Sequence, residues 1–147
     1  MSILSYTQEI IVRDLLAMKE EIQSTDPDLL WSAEPGIINP VGTLCYHICG
    51  NLQHFIGAQL GSNGYVRDRE AEFNQKNLTN HELLMIIDET IQAIQNGFKN
   101  ITEEDLDKEM PDPPPQHKGR SIGFFLIQLC CHLSRHRGQL NYLKRII

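Results

Sequence analysis

Ile122-Gly123-Phe124-Phe125-Leu126-Ile127-Gln128-Leu129-Cys130-Cys131-His132-Leu133-Ser134-Arg135-His136-Arg137-Gly138-Gln139-Leu140-Asn141-Tyr142-Leu143 is the longest apolar-periodic segment of the chain. Ile122, Leu126, Leu129, Leu133, Leu140, Leu143 and Ile147 fall on an alternating four-and-three spacing, the signature of a helix with one buried face. His136 stands in that series where another aliphatic residue is expected. His132 precedes it by four residues, one helical turn plus about 40°, so both imidazoles leave the same inward face and can reach one ion. Burying two ring nitrogens without partners costs roughly 1 to 3 kcal/mol each, and a metal would satisfy both together. The spacing by itself is weak evidence for a metal and fits more readily one hydrogen-bonded core histidine and one histidine reaching the surface.

Outward from this segment, three more helices are predicted. The first runs from about Thr7 to Gln23, with Leu4, Ile11, Leu15, Met18 and Ile22 on one face, and stops at Ser24-Thr25-Asp26-Pro27. A linker follows through Trp31, Pro35 and Gly36. The second helix starts with Asn39 as N-cap and Pro40 at its first position, and stops at Gly61-Ser62-Asn63-Gly64. Residues 62 to 78 read as a polar loop, after which Thr79 and Glu82 form a capping box for the third helix. Its predicted stripe is Leu84, Ile87, Ile91, Ile94 and Phe98. From Ile101 to Arg120 the chain is acidic and then proline-rich, so no helix continues through it, and Ser121 caps the last one. The prediction is an all-α four-helix bundle, up-down-down-up or up-down-up-down, formed as one domain over residues 1–147.

Composition narrows the function classes. With 41% hydrophobic and 22% charged residues the chain is an ordinary globular sequence, and a formal charge of -6 argues against a nucleic-acid partner. No apolar run approaches the roughly 18 residues needed to span a bilayer, and the N-terminus lacks a secretory pattern, so a cytoplasmic setting is expected. Cys45, Cys49, Cys130 and Cys131 are expected to be reduced, mostly buried thiols. There is no Ser-His-Asp arrangement, glycine-rich phosphate loop or CxxC pair. Glu70 with Glu72 and Glu103 with Glu104 are paired carboxylates, each read as a solvated charge run.

A metal site that does chemistry usually has three protein ligands and one open position. The second helix offers His47 and His54, seven residues apart and about 20° from each other around the axis, with Asn51 between them. His47 is the deeper of the two, but spacing leaves both open as the third ligand. Asn51 is a candidate to orient His47 or a bound water. His81, in a capping turn, and His117, in the proline loop, are expected to be exposed.

Asn39-Pro40-Val41-Gly42, His47-Ile48-Cys49-Gly50-Asn51-Leu52, Arg67-Asp68-Arg69-Glu70-Ala71-Glu72-Phe73 and the run from His132 to Tyr142 together resemble the DinB-like superfamily of bacterial four-helix bundles. The resemblance covers nearly the whole chain. It implies an up-down-down-up bundle, a homodimer, and a divalent transition metal, nickel or zinc, held by His47, His132 and His136. Because characterised relatives include S-transferases that use bacillithiol, mycothiol or glutathione, it also implies a small-molecule substrate and a low-molecular-weight thiol cosubstrate. Three neutral imidazoles at one ion would support thiol transfer or hydrolysis. The alternative is a non-catalytic, stress-related bundle whose metal is structural, with His54 as a closing fourth ligand. In the Arg67 to Phe73 segment a structural role is expected, with Phe73 anchoring the loop while Arg67 pairs with its acidic neighbours.

Overall fold

The computed structural model describes residues 2–147 and contains five α-helices with no strands among the described residues. Helix α1, Ile3–Gln23, begins four residues before the expected start because Ser2 and Ser5 form a reciprocal capping box. Its face of Ile11, Leu15, Met18 and Ile22 is fully buried. Trp31 then pins the linker, its indole N–H donating to the Leu78 carbonyl at 2.9 Å.

Helix α2, Val41–Leu52, starts one residue later than expected. Pro40 is extended and serves as the N-cap, its carbonyl accepting the first helical bond from Leu44 at 3.0 Å. The helix continues as a π-helical stretch, Gln53–Leu60. At Gly97, the later helix Asn80–Lys99 comes so near this stretch that a Cβ would lie 2.8 Å from the Ile56 carbonyl oxygen, so glycine is needed for the contact.

The segment expected to be all loop contains helix α3, Arg69–Asn74, with Asp68 as N-cap accepting from the Ala71 N–H at 3.0 Å. Six residues are too few for periodicity to reveal. Helix α4, Asn80–Lys99, has the expected Thr79/Glu82 capping box. Its buried face is Leu83, Ile87, Thr90, Ile94 and Phe98, whereas Leu84 and Ile91 are only half-buried. The predicted stripe was therefore displaced at two positions: Leu83 and Leu84 are equally apolar, and only the packing on α1 and α2 selects between them.

Residues 101 to 120 carry no α-helix, only 3-10 turns at Glu103–Asp107 and Pro115–His117. Helix α5, Ile122–Leu143, is capped by Ser121, whose hydroxyl accepts from the Phe124 N–H at 3.2 Å. Ile122, Leu126, Leu129, Leu133, Leu140 and Leu143 are buried as the spacing predicted, while Ile147 lies past the helix end and is half-buried. Helices α1 and α2 each pack on both α4 and α5, and α3 lies against α2. The apolar core fills the space between the long helices. All four cysteines are free; Cys45 and Cys49 are buried, Cys130 is half-buried, and Cys131 is exposed, which corrects the expectation for that residue.

The register of α4 is open to measurement. Leu83→Ala should cost about 2 to 5 kcal/mol in denaturant unfolding and Leu84→Ala less than half as much; equal losses would contradict the burial pattern.

Candidate metal centre

The packing of α2 on α5 brings three histidines together. His47, buried on α2, points its Nε2 at the Nε2 of His132, 3.4 Å away. His136 Nε2 lies 3.0 Å from the same His132 atom. One ring nitrogen from each of the three falls within 4.8 Å of the others, so the group could hold a metal ion.

The proton arrangement tests whether a metal fits. His47 Nδ1 donates to Glu72 Oε1 at 2.9 Å, and since a carboxylate only accepts, the neutral ring must carry its proton there and present a lone pair at Nε2. His136 Nδ1 donates to Gln139 Oε1 at 2.7 Å, which leaves its Nε2 as a lone pair too. His132 is held neutral: burial, then the neighbouring His136 and His47, push it down to about 3. Burial also lowers His136, against the opposing hydrogen bond to Gln139. Two lone pairs thus converge on a third neutral imidazole that has at most one proton to offer. Nitrogens about 2.1 Å from a shared tetrahedral ion stand roughly 3.4 Å apart, and nitrogens at right angles around it about 3.0 Å apart. The His47–His132 and His132–His136 separations fall in this range and all three nitrogens lie within 4.8 Å of one another, so the group could hold a divalent ion with a small adjustment of the rings.

Glu72 is the residue that sequence reasoning misplaced. It was read as part of a solvated charge run, yet it is 1% exposed, while its neighbour Glu70 is exposed. Arg67 grips it with both arms of its guanidinium, Nε to Oε2 at 2.7 Å and Nη2 to Oε1 at 2.8 Å. Burial alone would raise the Glu72 carboxyl, but the hydrogen bonds from Arg67 and then His47 overcome it and hold the group below its ordinary value. The predicted pairing of Arg67 with its acidic neighbours and the anchoring role of Phe73 correspond to contacts: the Phe73 ring centroid lies 4.9 Å from that of His47.

Gly50 makes the arrangement possible. A Cβ at Gly50 would collide with the Glu72 carboxylate and lie 2.6 Å from its Cδ. The glycine one turn beyond Tyr46 on α2 was the available signal, since a glycine inside a helix is costly unless something must approach closely.

Other candidates sit differently. Asn51 is buried on the cavity wall, but its Oδ1 has no hydrogen-bond partner among the described residues and the His47 ring is oriented by Glu72 instead. His54 sits in the π-helical stretch and is not part of the histidine group; its Nε2 is 3.2 Å from Gln59 Nε2. His81 is exposed as expected, whereas His117 is half-buried and lines the cavity over the histidines, its ring 5.9 Å from that of Phe125. That cavity, about 620 Å³, is walled on its apolar side by Phe55, Phe73, Phe125 and Leu129.

A family model described as "Protein of unknown function (DUF1572)" matches residues 6–147. The chain belongs to this family. Its match begins within α1 and runs to the end of the chain, so it spans every histidine of the centre. Among curated proteins, none matches the chain.

If Glu72 sets the His47 tautomer, Glu72→Gln should weaken zinc binding about 10- to 100-fold in a competitive chelator titration. Gly50→Ala, which touches no ligand, should weaken it in the same direction by displacing Glu72. Unchanged affinity in both variants, with intact helicity by circular dichroism, would contradict the assignment.

Proposed function

We propose that this member of the DUF1572 family is a divalent-metal-dependent enzyme that uses His47, His132 and His136 as ligands and transfers a low-molecular-weight thiol to a small electrophile. The observation that carries this reading is the combination of three convergent imidazoles with a cavity of about 620 Å³ directly over them. That size suits a small substrate. His54, the residue that would close the coordination in a structural site, does not line this cavity. Nickel or zinc fits a donor set of three imidazoles, and a bound ion would supply Lewis acidity that lowers the proton affinity of a thiol or water.

The chain's own residues supply positioning. Glu72 fixes the proton of His47 at Nδ1, Gln139 does the same for His136, and Arg67 holds Glu72 ionised. Phe55, Phe73 and Phe125 exclude water from one side of the cavity. In the transfer, the thiol proton passes to solvent, the sulfur forms a bond to the electrophilic carbon, and the leaving group departs with the bonding pair. The reading also takes the four long helices as an up-down-down-up bundle of the DinB-like kind, cytoplasmic and homodimeric.

Conjugation of a chromogenic aryl halide by glutathione, bacillithiol or mycothiol tests it. Zinc- or nickel-loaded protein should accelerate the reaction with at least one thiol, and chelation or His47→Ala should abolish the acceleration. Metal-loaded protein that neither binds nor transfers any of the three, but loses thermal stability on chelation, would favour a structural metal in a non-catalytic bundle.

A further inference from the structure

The cavity over the histidines is cationic although the chain carries a formal charge of -6. Arg67, Arg69 and Arg135 line it, and no aspartate or glutamate does so among the described residues. The three arginines are not equivalent. Arg67 is spent on Glu72, which neutralises it from behind the wall. Arg69 and Arg135 make no ion pair or hydrogen bond among the described residues. Arg69 lies over the Phe73 ring, 5.1 Å from its centroid, and Phe73 in turn stacks beside His47. Arg135 directly precedes His136 on α5. Two unpaired guanidiniums therefore line the same cavity from separate elements, α3 and α5.

The guanidinium fork of N–H donors matches a carboxylate in two-point geometry. Three neutral imidazoles also leave the charge of any bound divalent ion uncompensated, so the whole cavity favours an anion.

We infer that the thiol taken by this site carries a carboxylate, which Arg69 and Arg135 hold at the cavity rim while its sulfur reaches the histidines. The inference rests on the thiol-transfer reading for the sulfur end and on the two arginines alone for the carboxylate end. The two ends can be tested separately. Held in place at both, the thiol is oriented without help from the apolar wall, which is then free to receive the electrophile.

Isothermal titration of zinc-loaded protein with 3-mercaptopropionate, 2-mercaptoethanol and succinate decides it. 3-Mercaptopropionate should bind about tenfold or more tightly than the uncharged thiol, the scale of a charge-assisted hydrogen-bonded pair. Arg69→Gln and Arg135→Gln should each reduce that preference and the double variant should erase it, with zinc content and circular dichroism unchanged. Both residues are exposed, so the variants should fold. Equal binding of the two thiols would overturn the inference and leave thiol transfer standing. Binding of succinate that requires both arginines, with neither thiol bound, would uphold the carboxylate site and overturn the thiol reading. No binding of any probe would overturn both.

Discussion

The buried Glu72 carboxylate is the constraint on which the site depends. A charge with 1% exposure is tolerated only when it is paired and fully hydrogen-bonded, and Arg67 and His47 meet that requirement with three bonds between 2.7 and 2.9 Å. Removing Arg67 would leave the buried charge without its ion-pair partner, at a cost of about 3 to 5 kcal/mol. The same interaction ties the segment after α2 to the helix itself. It also fixes the His47 proton at Nδ1, so the geometry that stabilises the loop prepares Nε2 for a ligand.

The elements around this carboxylate follow from it. Gly50 is open because Glu72 occupies the space of its missing side chain. Helix α3 is short, held by the Asp68 cap at one end and by the burial of Glu72 in its first turn. Phe73, the next residue, lies against His47 and also packs with the Arg69 guanidinium. One six-residue helix thus delivers the orienting carboxylate, an aromatic wall and a cationic rim to the same cavity. The long connection of residues 101 to 120 also lines the cavity, through Pro114, Gln116 and His117.

What was legible in the sequence was whatever repeats. The α5 stripe, the His132 and His136 pair and the capping signals at Thr79 and Ser121 are periodic or local patterns, and each stands where it was read. Choosing His47 over His54 needed depth, because the two are seven residues apart on one side of the helix and spacing alone does not separate them. Glu72 escaped because its neighbours Asp68, Arg69 and Glu70 are exposed, so composition averaged over the segment reads as solvated. Its burial is decided by a contact 22 residues away in sequence, the approach to Gly50. His117 was misjudged for the same reason: a proline-rich loop gives no indication of which of its residues fold back over a helix.

The central claim is that His47, His132 and His136 form one metal centre. Elemental analysis of protein purified without a histidine tag, wild type beside His132→Ala, tests it most directly. The expected result is close to one equivalent of zinc or nickel per chain in the wild type and little in the variant. Metal-free wild type that also fails to take up either ion on incubation would contradict it.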